Sequence, residues 1–241
     1  MYAALDVGCG EGRMTEALRT QAAPGAWIVA LDMQPDAVAI TRARHAVDGI
    51  RASIESLPLS SGQFELVTAG HVLPSTADVP RAVRELRRVL SPGGVLLAGA
   101  DSESSGRRLL AWHVEACKRA GLTDQARRAA IPSARSRFTL ENGGRALSRA
   151  FGSVEVKVRD EALVLASVDD LLRLYGDGLH LRGATSLEGP GDADVLAIRL
   201  KPHLRDIASA AVEPDGRLIV PRRSGCFVCR MPKLLTRQPP A

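Results

Sequence analysis

The residues best suited to chemistry lie close to the start of the chain. Asp6-Val7-Gly8-Cys9-Gly10-Glu11-Gly12 follows an apolar run and opens onto a helical pattern. A glycine-rich turn between a strand and a helix lets backbone N–H groups approach a ligand closely. A dinucleotide site needs Gly-x-Gly-x-x-Gly, with a pyrophosphate resting on the helix N-terminus. Here the third glycine comes one residue early, and Glu11 stands where the pyrophosphate would bind. A carboxylate beside two phosphates is repulsive, which argues against NAD. A zwitterionic amino-acid tail with a cationic centre suits this acidic loop better. Asp32, closing a second apolar run, is placed to accept from two ribose hydroxyls.

A second candidate is Cys226-Phe227-Val228-Cys229, which has the spacing of half a zinc site or of a redox pair. No other Cys/His pair with ligand spacing accompanies it. In a strand its two sulfurs would point to opposite faces. The expectation is two small packing side chains and no metal, with Cys9 and Cys117 read in the same way.

These residues must be positioned by regular elements, and the first hundred residues are regular. Tyr2–Val7, Trp27–Leu31, Ile50–Ile54, Phe64–Ala69 and Val95–Ala98 read as buried strands. Between them, helical patterns start after Gly12, at Pro35-Asp36 and at Val79. In the last of these, Val83, Leu86, Val89 and Leu90 share a face, while Arg84, Arg87 and Arg88 read as solvated. Alternating strands and helices imply a parallel α/β sheet. Beyond residue 100 the pattern loosens. Helices are expected over 109–120, 140–150, 169–175 and 195–212, and a strand over 154–158. A hairpin-like pair, 218–220 and 226–229, closes the chain, with Pro221 to Gly225 between its arms. His45 and His203 read as surface residues.

Composition sets the class. The 241 residues are 45% hydrophobic and 24% charged, as in soluble globular chains, and no run approaches the ~18 apolar residues of a membrane span. The N-terminus has no basic region or cleavage site, so a cytoplasmic protein is expected. The net charge of +5 comes from arginines scattered along the whole chain, and only 3% of residues are aromatic. Without clustering or stacking platforms, nucleic acid is not the expected partner.

Leu5-Asp6-Val7-Gly8-Cys9-Gly10-Glu11-Gly12 resembles the first motif of class I S-adenosylmethionine-dependent methyltransferases. The resemblance runs on through Ala30-Leu31-Asp32, through 55–67 (Glu55-Ser56-Leu57-Pro58-Leu59 to Leu66-Val67), and through His71-Val72-Leu73. It ends with 84–94, from Arg84-Glu85-Leu86 to Ser91-Pro92-Gly93-Gly94. The order and spacing are similar to those of the small-molecule branch that includes quinone-biosynthesis enzymes. The resemblance implies a Rossmann-like fold: a mostly parallel seven-stranded sheet with an antiparallel C-terminal strand and helices on both faces. It implies one domain, residues 1–100 binding the cofactor and residues 101–241 forming the acceptor pocket and the end of the sheet.

Roles follow by position. The resemblance places Asp6, Gly8, Gly10 and Gly12 around the methionine moiety of S-adenosylmethionine, Asp32 on the ribose and Met33 on the adenine. An Asp that usually holds the adenine amino group is replaced by Ser53, with Ile54 beside it and Glu55 close by. His71, after the fourth strand, is the candidate base. Paired histidines that often follow are Pro74 and Ser75 here. Relatives also carry helices before the first motif that cover the cofactor. This chain starts inside the first strand, which implies either a missing lid or a start codon assigned too late.

The acceptor wall is expected from the irregular stretches 101–137 and 159–191, with Trp112, His113, Tyr175 and His180 lining it. The expected activity is methyl transfer to a hydroxyl, amine or carbon of a small molecule, such as a secondary metabolite or quinone-like acceptor. The alternative is a protein that binds S-adenosylmethionine without methylating, either as scaffold for another reaction or as a non-catalytic partner.

Overall fold

The computed structural model describes residues 2–124, 137–176 and 192–232. Within them lie strands β1 (Ala3–Val7), β2 (Trp27–Asp32), β3 (Asp48–Arg51), β4 (Phe64–Gly70), β5 (Leu90–Asp101), β6 (Ser153–Leu165) and β7 (Leu218–Arg230). The helices are α1 (Arg13–Gln21), α2 (Pro35–His45), α3 (Val79–Val89), α4 (Arg107–Arg119), α5 (Leu140–Ser148), α6 (Val168–Gly176) and α7 (Asp192–Ser209). One seven-stranded sheet runs in the order β3-β2-β1-β4-β5-β7-β6. The first five strands pair in parallel, with Leu5 opposite Val29 on one side and Val67 on the other. The C-terminal strands are antiparallel: the Gly93 N–H donates to Pro232 O and the Met231 N–H to Gly94 O. The expected Rossmann-like sheet is therefore present.

The central strands read as near-continuous apolar runs because a parallel sheet is covered on both faces. All five residues of β1 are buried. α3 buries Val79, Ala82, Val83, Leu86 and Val89, and Asp78 caps it by accepting from the Arg81 N–H at 2.9 Å. α5 opens with a capping box, Thr139 and Asn142 satisfying each other's backbone N–H groups.

The chain forms two compact units. The described residues of the first are 2–101, 137–158 and 225–232; those of the second are 102–124, 159–176 and 192–224. The chain thus leaves the first unit after Asp101, returns twice, and does not divide into two contiguous halves. The first unit packs around Leu5, Leu31, Phe64, Val67, Leu86 and Leu96, with Trp27 stacked on Phe64 at 5.3 Å between ring centroids. The second packs Leu171, Leu172, Leu200, Leu204 and Leu218 between α4, α6, α7 and the start of β7.

Four expectations change. β3 ends at Arg51, and Ser53 instead forms an isolated bridge with Ser56, because β2, its sheet neighbour among the described residues, ends at Asp32 opposite Arg51. The closing hairpin is one continuous strand: β7 runs through Pro221 to Gly225. Arg88 is not on the solvated face with Arg84 and Arg87. Its guanidinium donates to Leu59 O at 2.7 Å, to Leu57 O at 2.9 Å and to both Glu85 oxygens at 2.8 Å. That planar fork latches the β3–β4 loop onto α3, and the hydrogen bonds to Arg88 hold the Glu85 carboxyl below its ordinary value. Finally, His45 and His203 are half-buried.

Candidate functional site

The carboxyl ends of β1, β2, β4 and β5 carry the candidate site, in the first unit. The strand order reverses between β1 and β4, where open parallel sheets bind ligands. After Val7 the chain turns sharply on glycines. Gly8 has φ +74°, and a Cβ there would sit 2.6 Å from Val72 Cβ. Gly12 has φ +88°, and a Cβ there would meet the His45 ring at 2.6 Å. Both positions require glycine for conformation and for space. Gly10 also has positive φ.

The loop is strapped to the end of β2. The N–H groups of Gly8 and Cys9 donate to Leu31 O at 2.7 and 3.1 Å, and Thr41 Oγ1 donates to Gly10 O at 3.0 Å. Asp32 accepts one N–H on each oxygen, from Gly10 at 3.0 Å and from Gln34 at 2.9 Å. A carboxylate has about four acceptor positions, so the half-buried Asp32 retains capacity for ribose hydroxyls. Met33, next in sequence, is 61% exposed and offers a soft apolar surface.

Asp6 is placed differently from Asp32. It is enclosed within the first unit, its Oδ2 accepting from Thr15 Oγ1 at 2.6 Å and its Oδ1 from Thr68 Oγ1 at 2.8 Å. Burial pushes its carboxyl up from the ordinary value, and the two hydroxyls act in the opposite sense. Asp6 thereby ties β1 to α1 and β4 directly beneath the loop. Burial also pushes the Cys9 thiol up to about 11, with Asp6 and Asp32 adding repulsion, so it stays neutral.

Where the adenine subsite was expected, Ser53 Oγ accepts from the Glu55 N–H at 3.2 Å, and Ile54 is buried in the core. Glu55 Oε1 accepts from the N–H groups of Ala77 and Asp78, which anchors it to the start of α3. His71 follows β4 with φ +56° and lies beside Asp101 at the end of β5.

Three of the four residues expected around the acceptor belong to the second unit. Trp112, His113 and Tyr175 are buried in its core. His113 Nδ1 is hydrogen-bonded to the Tyr175 hydroxyl, and His113 Nε2 lies 3.6 Å from Cys117 Sγ. Arg108 stacks over Trp112 at 5.3 Å. Burial lowers the His113 pKa, raises that of Tyr175, and pushes Cys117 up to about 11. The group is neutral around pH 7. His180 lies outside the described residues.

Cys226 and Cys229 sit on β7; Cys229 is buried in the first unit's core, where burial pushes its thiol up to about 12. Among the described residues no group of three or more His, Cys, Asp or Glu side chains could hold a metal ion. No described helix is long and apolar enough to cross a membrane.

Sequence reasoning missed Thr15, Thr41, Thr68 and Asp101. The signal for the first and third was available: a carboxylate inside an apolar strand needs hydroxyl or amide partners nearby.

Comparison with known proteins bears on the same residues. A methyltransferase-domain family model matches residues 5–98, the stretch that builds the glycine loop, Asp32 and His71. Residues 5–98 are therefore similar to a methyltransferase domain. The malonyl-acyl-carrier-protein O-methyltransferase of Erwinia pyrifoliae is 31% identical over 151 residues, covering 62% of this chain and 56% of that protein. The 2-phytyl-1,4-naphthoquinone methyltransferase of Thermosynechococcus vestitus is 32% identical over 95 residues, covering 38% of this chain and 42% of that protein. The chain therefore spans about half the length of these curated relatives. In fold, it is similar to a candidate methyltransferase of Bacillus halodurans C-125, with a TM-score of 0.59 at 19% identity, over 96% of this chain and 93% of that one.

Proposed function

We propose that the first unit binds S-adenosylmethionine across the carboxyl ends of β1 and β2 and that the protein transfers its methyl group to a small-molecule acceptor. The observation that carries this reading is the glycine loop held by Asp32 at the switch point of the sheet, inside the stretch that matches the methyltransferase model. The residues fit the cofactor. Three left-handed glycines leave a close backbone cradle for the amino-acid tail, and Glu11 and Asp32 give the loop a negative field suited to a cation. Asp32 accepts from the ribose, Met33 and Ile54 supply apolar contact near the adenine, and Ser53 supplies a hydroxyl. Asp6 acts from below by fixing the loop.

When bound, the sulfonium supplies an electrophilic methyl group for in-line displacement. The protein's share is positioning, exclusion of water and, where the acceptor is protic, removal of a proton. His71 is the base in this reading. The names of the relatives span an oxygen of a malonyl group and a naphthoquinone, so the acceptor is proposed here only as a small molecule or small-molecule moiety. Trp112, His113, Tyr175 and His180 remain its proposed specificity residues.

Calorimetry with S-adenosylmethionine and S-adenosylhomocysteine tests the first half of the proposal. Incubation with labelled cofactor and a panel of hydroxylated, aminated and malonyl acceptors tests the second. Binding with transfer of label supports both. Absence of binding overturns the reading, and binding without transfer across the panel leaves a cofactor-binding protein that does not methylate.

A further inference from the structure

His71 and Ala46 are the non-glycine residues with positive φ among the described residues. A left-handed backbone at a residue with a side chain costs roughly 1–3 kcal/mol and persists where its surroundings hold it in place. The His71 N–H donates to Gly99 O at 3.2 Å. Gly99 also makes room for the ring, since a Cβ there would stand 3.4 Å from His71 Cδ2. This backbone brings the imidazole beside the last residue of β5, with Nδ1 3.7 Å from Asp101 Oδ2. Both side chains are about half exposed, at 53% and 41%. Val72, the next residue, packs against Gly8, so the pair stands at the same strand ends as the glycine loop. Of the elements packed here, β5 contributes the Asp101 carboxylate. Asp6, the charged residue of β1, is enclosed by Thr15 and Thr68.

We propose that Asp101 is the positioning carboxylate of a His71 base, and that the acceptor presents a phenolic or enolic hydroxyl rather than a carboxylate. The inference rests on the methyl-transfer reading. Once drawn to hydrogen-bond distance, Asp101 accepts from Nδ1–H, which fixes the tautomer and leaves the Nε2 lone pair for a proton. The 3.7 Å separation is an ion-pair distance that shortens to a hydrogen bond when the site fills. A carboxylate acceptor is already ionised at neutral pH and has no proton to remove, whereas a phenol, with a pKa of about 10, has one. In the step, Nε2 takes the hydroxyl proton as the oxygen bonds to the methyl carbon. The methyl–sulfur bond breaks with its electron pair remaining on sulfur, which becomes a neutral thioether. The imidazolium then returns its proton to water, and Asp101 stays ionised throughout.

The test is histidine NMR on the whole chain with S-adenosylhomocysteine bound, using 1-naphthol and a malonyl thioester as probes. In the unaltered protein the His71 ring-nitrogen shifts should report the Nδ1–H tautomer, and the Asp101→Ala variant should move them toward the Nε2–H tautomer, because no carboxylate then holds the Nδ1 proton. Adding 1-naphthol should shift the His71 Nε2 signal, and the malonyl thioester should not. Ring-nitrogen shifts that are the same in the two proteins overturn the positioning role. An Nε2 signal that ignores naphthol, or that responds to the thioester alone, overturns the acceptor class. Failure of S-adenosylhomocysteine to bind the unaltered protein would instead overturn the methyl-transfer reading itself, so the two failures are distinguishable.

Discussion

Two clusters of ionisable residues, one in each unit, are placed in opposite ways. In the first, Asp32, His71 and Asp101 each stand at a strand end, partly exposed, beside backbone bent into the left-handed region at Gly8, Gly10, Gly12 and His71. In the second, His113, Cys117 and Tyr175 are enclosed in an apolar core and bond to one another. Burial shifts the titrations of this second set and accounts for nearly all of the effect. A shifted titration does not by itself mark a site; charge, access and strained backbone together do, and they coincide in the first unit. Enclosed groups whose partners are each other are first of all parts of a core.

Substitutions can break this contrast. The largest effect is expected for Trp112→Ala, which empties a core position in the second unit. It should cost about 3–5 kcal/mol in a urea titration, while the folded fraction binds S-adenosylmethionine with unchanged affinity. Gly8→Ala combines a strained φ with a contact 2.6 Å from Val72 and should cost about 2–4 kcal/mol. It should also weaken cofactor binding more than tenfold, because the loop cannot keep its turn. Wild-type affinity in this variant would remove the glycine loop from the site.

Smaller effects sharpen the comparison. Tyr175→Phe removes the hydroxyl bonded to His113 Nδ1 and should cost about 1–2 kcal/mol of stability, again with cofactor affinity unchanged. His113 also predicts a pH dependence. Burial holds its folded pKa below the ordinary histidine value of about 6.5, so the folded state carries it neutral while the unfolded chain binds a proton. Stability is therefore fully present above that ordinary value. It is lost as the pH falls below it, by at most ~1.4 kcal/mol per pH unit, until the folded value is reached. Urea midpoints between pH 7 and 5 would show this slope, and His113→Asn should flatten it. Acceptor turnover reports separately on the proposed specificity role of Trp112, Tyr175 and His180.

The first unit was the more legible in sequence for a physical reason. Parallel strands buried on both faces must be apolar throughout, and the turn after β1 admits only glycine at Gly8 and Gly12, so spacing and composition both report on the fold. Non-local pairing was less legible. β7 continues through Pro221, a residue that reads as a break when its neighbours in the sheet are unknown. β3 ends at Arg51 because β2 ends there, although Ile54 extends the apolar run. Arg88 reads as solvated until the loop it latches folds against α3. Asp101 could not be assigned at all, since its partner His71 lies thirty residues earlier on another strand end and is brought to it by a backbone conformation that no local pattern announces.

The central claim is that the cofactor is held by Asp32 and the glycine loop of the first unit. Calorimetric titration of S-adenosylmethionine into the unaltered chain and into Asp32→Ala tests it most directly. The account predicts binding that weakens by about 1–3 kcal/mol, roughly 5- to 150-fold, in the variant. Equal affinity in the two proteins would contradict it.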